Sequence, residues 1–138
     1  MKTIISNGLI IGVATLVATF VINFITISIF PEFQTIYENT DIFREADDPL
    51  FMLYLLFPFA LGFALAWVWN RVKHLFSGSL FKISWDFSIL FLVVVGVPTF
   101  LIQLGSFNLP VMMMLSWLFT TYVNGYIAAL ILSKLNPP

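Results

Sequence analysis

The chain contains no cysteine, one histidine and very little charge. Without cysteine there is no disulfide, thiolate metal site, iron–sulfur cluster or thiol nucleophile. His74 alone cannot complete a bis-histidine haem site, and no P-loop, zinc spacing or Ser-His-Asp set accompanies it. Charged residues make up 9% of the chain, against roughly 25% in soluble domains, while hydrophobic residues reach 60%. That balance excludes a water-soluble domain. A net charge of -1 offers no basic surface to phosphates, so nucleic acid is excluded as a partner. Nothing here calls for a cofactor or a metal, and an enzyme is disfavoured because the usual gathering of acids, bases or metal ligands is missing.

What the chain has in abundance is charge-free sequence, in runs at residues 3–31, 49–70 and 87–133. A helix crossing a bilayer core of roughly 30 Å needs about 20 apolar residues. The third run, 47 residues long, would make a helix of about 70 Å and must fold back once. The break reads at Gly105-Ser106-Phe107-Asn108-Leu109-Pro110, with Gly105 ending one helix, Asn108 capping the next and Pro110 in its first turn. The expected fold is all-α: a single transmembrane domain over residues 1–138, an integral membrane four-helix bundle with spans at about 3–30, 49–72, 85–104 and 109–133. Asp48 followed by Pro49 signposts the second helix. Residues 73–82 read as a loop whose Phe and Leu side chains lie among headgroups, and Ser84 reads as the cap of the third helix. Asp86 falls in that helix's first turn, favourable to the dipole and within reach of Lys82 or Arg71.

Four spans put Lys2, Arg71, Lys73, Lys82 and Lys134 on one side and Arg44 alone on the other. The positive-inside rule then makes both termini cytoplasmic in a plasma-membrane protein. The first span reads as retained, because its apolar run is too long for a signal peptide and no A-x-A-like site follows it. Neither end carries a lipidation motif. Trp67, Trp69 and Trp85 are expected to form an interfacial belt, with Trp117 deeper.

Six of the seven acids, Glu32, Glu38, Asp41, Glu45, Asp47 and Asp48, fall between the first two spans beside Arg44. Phe33, Ile36, Tyr37 and Phe43 share roughly one helical face there, predicting a short amphipathic outer segment anchored at the membrane surface. Such a segment is an anchor, a docking surface or a cation-attracting vestibule. It lacks the spacing of a calcium loop.

Within lipid, helices associate through small residues and interhelical hydrogen bonds, so such residues map contacts. Gly8, Gly12, Thr15, Thr19, Asn23 and Thr26 form one stripe on the first span; Ser116, Thr120, Asn124 and Ala128 form another on the fourth. At 1.5 Å per residue, Asn23, Tyr54 and Gln103 lie roughly 8–12 Å outward of the midplane and Asn124 about 5 Å inward, level with Gly12 and Thr15. The first three residues can meet, either as packing glue or as a polar pocket, and Asn124 predicts a contact between the first and fourth helices. Pro58 and Pro98 are candidate kinks. Met112, Met113 and Met114 are suited to an irregular contact with a partner chain.

The order of features, with Leu61-Gly62-Phe63-Ala64-Leu65-Ala66 in the second span and Asn124-Gly125-Tyr126-Ile127-Ala128 in the last, resembles small four-span bacterial membrane proteins of unknown function of the DUF1761 type. The resemblance also rests on a first span ending near Phe30 and on Phe33 and Phe43-Arg44 beyond it. It implies four helices and no particular activity. Four-span drug–proton antiporters are disfavoured, because no acid lies in the first span. The leading functional expectation is a non-enzymatic accessory or scaffolding subunit that packs in the bilayer against other membrane subunits or itself. The alternative is an oligomeric channel or carrier for a small solute, with Asn23, Tyr54, Gln103 and Asn124 along its path.

Overall fold

The structure, a computed structural model, describes residues 2–138. It is helical throughout, with no strand among the described residues. The helices are α1 (Lys2–Ile29), α2 (Glu32–Tyr37), α3 (Met52–Val72), α4 (Leu80–Phe91), α5 (Val97–Ser106) and α6 (Val111–Leu135). With short flanking turns they make four helices long and apolar enough to cross a membrane: Thr3–Ile29, Pro49–Leu75, Leu80–Ser106 and Val111–Leu135. Their outward faces carry large hydrophobic side chains such as Phe24, Leu56, Val94 and Phe119, each more than half exposed. A surface this apolar fits lipid and not water, and the four candidate spans point to a multi-pass membrane protein.

The cap expected for the second span stands, and those expected around the third and fourth spans move. Asp48 caps the 3-10 turn at Pro49–Phe51, its carboxylate accepting from the Leu50 amide at 2.8 Å. The third span begins at Leu80 rather than near 85: Ser79, not Ser84, is its cap and accepts from the Lys82 amide, while the Ser84 hydroxyl donates to the Leu80 carbonyl inside the helix. Asp86 therefore lies in the second turn, where Lys82 one turn earlier pairs with it. At the other correction, Gly105 lies within α5, Phe107 ends that helix, and Pro110 stands at the start of α6 without any side-chain cap, so Asn108 caps nothing.

The third span is not one continuous α-helix. Between α4 and α5 the residues Leu92–Gly96 form a π turn in which the Val97 amide bonds to the Leu92 carbonyl. Pro98 follows immediately. Its ring would strike the carbonyl four residues back in a regular helix, and one extra residue in the turn makes room for it. α3, by contrast, runs unbroken through the buried Pro58.

α1 packs against α3 on one side and α6 on the other, and α6 in turn packs against α4. Gly8 lies against Phe63, Gly12 against Phe59, and Gly62 against the backbone of both glycines, so α1 and α3 are antiparallel and in backbone contact. Small residues permit that approach. The packed core joins Ile11, Leu65, Ala66, Trp69, Ile83, Phe87, Phe91, Ala128, Ala129 and Leu132, and it occupies the end of the bundle where α6 finishes.

Trp69 belongs to this core rather than to an interfacial belt. It is fully buried, stacks on Phe76, meets Phe87 edge-on and donates its indole N–H to the Asn136 carbonyl at 2.8 Å. Phe76 is thereby drawn in from the loop expected to lie among headgroups. Trp67 and Trp85 do stay exposed, with the Arg71 guanidinium 3.5 Å above the Trp67 ring centroid. Met113 and Met114 are buried within the chain, which leaves only Met112 facing outward.

Candidate functional site

The opposite, acid-rich end of the bundle is hollow. A cavity of about 800 Å³ lies between α1, α3 and α6, with α5 contributing Gln103 and the segment after α2 forming the mouth. This is within the range of small-molecule sites, roughly 300–1,000 Å³. Below it the packed core closes the bundle.

The mouth is held in place by aromatic contacts. Phe30 stacks on Phe33, which is buried and turns the chain at the end of α1. Tyr37 packs on Phe43, Phe43 meets Trp117 edge-on, and the Trp117 indole N–H donates to the Tyr37 hydroxyl at 2.8 Å. The segment is thus tied to α6. Burial raises the Tyr37 pKa above the ordinary phenol value, against the lowering effect of the Trp117 hydrogen bond. Asp48, at the far end of the segment, has its carboxyl pKa lowered by the Leu50 amide and by Arg44, whose guanidinium is 2.6 Å away.

The walls combine apolar and polar groups. Leu16, Phe20, Phe57 and Pro58 supply the apolar surface; Thr19, Asn23, Tyr54, Gln103, Thr120 and Asn124 supply the polar one. At the deep end the Asn124 amide donates to the Thr19 hydroxyl oxygen at 3.0 Å, joining α1 to α6. The expected contact between first and fourth helices exists, but its partner lies one turn beyond the Gly12 and Thr15 level. The Asn124 side-chain oxygen, in contrast, is buried without a hydrogen-bond partner.

The polar residues read from the sequence therefore separate into two sets. Thr19, Asn23, Tyr54, Gln103, Thr120 and Asn124 share the cavity. Gly8 and Gly12 serve the α1–α3 contact, and Thr15 is buried with its hydroxyl on the Ile11 carbonyl. Of the acids, Glu38 and Glu45 border the cavity mouth, whereas Glu32, Asp41, Asp47 and Asp48 do not. Asp47 and Asp48 line instead a shallower depression of about 470 Å³ along the surface of residues 40–48. Among the described residues no group of three or more His, Cys, Asp or Glu side chains is placed to hold a metal ion. The part that sequence reasoning missed is the aromatic closure by Trp117, Tyr37 and Phe43, whose indole and phenol are 80 positions apart. Only the coincidence of two buried-type aromatics with polar tips hinted at it.

No protein-family model, no curated protein and no solved structure matches this chain.

Proposed function

We propose that the protein is a non-enzymatic membrane protein that binds a small solute in the cavity at its acid-rich end, as the binding step of a carrier. The observation that carries this reading is the cavity itself, about 800 Å³, whose wall sets Thr19, Asn23, Tyr54, Gln103 and Thr120 among apolar side chains. A few polar groups set in a largely apolar concave wall of this size are the make-up of a small-molecule site. By the positive-inside rule the termini are cytoplasmic and the mouth faces outward across the plasma membrane, with Glu38 and Glu45 beside the entry. The packed core below Asn124 supports a binding cavity and not a continuous pore.

The test is solute uptake into proteoliposomes, using a panel of small neutral and cationic solutes, by the native chain and by the double variant Asn23→Ala, Gln103→Ala. Saturable uptake that the variant weakens is expected. Uptake of none of the panel above protein-free vesicles would sink the carrier reading.

A second reading, an accessory subunit, draws on α5, which buries none of its residues within the chain. Its apolar face is available to another membrane subunit or to a second copy. Gentle extraction from native membranes, followed by sizing and mass spectrometry, tests it: stoichiometric foreign subunits are expected under this reading, and a lone chain refutes it.

A further inference from the structure

The two ends of the cavity's rim are sealed unequally. On the water side the mouth segment lies across it, tied to α6 through Tyr37, Phe43 and Trp117. On the membrane side one flank lacks any such tie. α3 packs against α1 and α6, and α5 packs against α6 and the π turn, but no packed interface joins α3 to α5. Tyr54 and Phe57 of α3 and Gln103 of α5 nevertheless line the same cavity, and Tyr54 and Phe57 leave half or more of their surface uncovered. The void is therefore bordered there by two helices that do not close on each other.

The chemistry along that flank changes with depth. Counted from the middles of their spans, Asn23, Tyr54 and Gln103 stand about 10, 12 and 15 Å outward, close to the edge of a hydrocarbon core that reaches roughly 15 Å from its midplane. Ester groups of the outer leaflet lie at this edge. The two carboxamides and the phenol have no hydrogen-bond partner among the described residues, and none is sealed away: the buried, unpartnered side-chain atoms belong to Asn7, Asn124 and Ser133. Each of the three can donate to an ester carbonyl. Deeper in, Leu16, Phe20 and Pro58 make the wall apolar. An apolar space bordering lipid is filled more favourably by a hydrocarbon chain than by water. The chain itself gains little by exchanging one apolar surrounding for another, so selection falls to the three polar groups.

We infer, resting on the binding reading above, that the occupant comes from the bilayer and not from water: an acyl-ester lipid of the outer leaflet, one chain of which enters between α3 and α5 and lies along the apolar wall while its ester carbonyl accepts from Asn23, Tyr54 or Gln103.

The experiment places the full chain in phosphatidylcholine vesicles containing a share of phosphatidylcholine with a diazirine near the middle of one chain; illumination is followed by peptide mapping. Adducts are expected on Leu16 and Thr120 of the cavity wall as well as on Leu56, which is exposed and does not line the cavity. Gln103→Trp narrows the opening from a helix that buries none of its residues, and should reduce the wall adducts relative to those on Leu56. Phe24→Trp, on the outer face of α1, should leave that ratio unchanged. The same diazirine chain in an ether-linked lipid should label the wall about fivefold less, the worth of one hydrogen bond. Undiminished wall labelling in Gln103→Trp overturns the entry between α3 and α5, and equal labelling by ester and ether lipids overturns the ester contact. A water-soluble diazirine probe on the native chain separates the remaining failures and needs no variant. Wall labelling by that probe and not by the lipid overturns the lipid inference while leaving a binding cavity open to water. Labelling by neither overturns the inference and the binding reading together.

Discussion

Gly62 is the position where a single methyl group tests the packing most severely. A Cβ built there falls onto the Gly8 carbonyl oxygen and lies 2.9 Å from the Gly12 nitrogen. Both obstacles are backbone atoms of α1, so no side-chain rotation relieves them and the two helices must separate. Restoring ordinary contact requires a shift approaching ~1 Å, and a gap of that size forfeits roughly a quarter to a half of each dispersion contact it opens. Packing supplies most of the attraction between helices in lipid, and overpacking in cores costs about 1–3 kcal/mol; Gly62→Ala is expected near the upper end. Gly105→Ala is the control, because nothing lies within 4 Å of its added methyl. It is expected to stabilise by about 0.4–1 kcal/mol through reduced unfolded-state freedom. Reversible unfolding in mixed micelles, followed by helical ellipticity, measures both. If Gly62→Ala is as stable as the native chain, the backbone contact between α1 and α3 is refuted.

Three further outcomes are expected. Trp117→Phe removes the indole donor to Tyr37 and should weaken docking of the mouth segment by about 0.5–1.5 kcal/mol, seen as faster amide exchange across residues 32–48 with no change in α6. Asp48 has its folded pKa depressed by Leu50 and Arg44, so its contribution to capping is present above the ordinary carboxylate pKa and is lost as pH falls through the depressed one; Asp48→Asn should flatten that acid-side dependence in the exchange of the Leu50 amide. Asn136→Ala removes the side chain that accepts from Lys73 and donates to Asn70, and should fray the last turn of α6 in amide exchange while leaving the cavity end unchanged.

The number of spans was legible because charge is absent from long runs, and no tertiary information is needed to see that. The start of α3 was legible for the same local reason: Asp48 and Pro49 act on their own neighbours. The start of α4 was not, since Ser79 and Ser84 are both competent caps and Lys82 reads as a loop residue until its pairing with Asp86 fixes it on a helix. Trp69 was misread because an aromatic near a span's end ordinarily marks an interface, whereas its hydrogen-bond partner comes from 67 residues away. The glycine stripe announced a close approach without saying which helix approaches. Depth arithmetic put Asn23, Tyr54 and Gln103 at one level, and the structure has them around one cavity. Asn124 joined them from a deeper level because a cavity, unlike a contact, spans several turns.

Close packing at one end and hollowness at the other follow from the same helix pair. Ridges of side chains make packed helices cross at an angle, so two helices in backbone contact at one level must diverge away from it. For α1 and α3 that level is Gly8, Gly12 and Gly62. Beyond it the α1 residues facing inward are Thr19 and Asn23, too large for backbone contact and too short to fill the widening gap, and on α3 Pro58 and Tyr54 stand opposite. The void then persists until the aromatics of the mouth segment close it. The glycine contact and the cavity are in this sense one geometric feature, and a methyl group at Gly62 that forces the helices apart should also displace Thr19 from Asn124, loosening the deep end of the site although it lies more than a turn away.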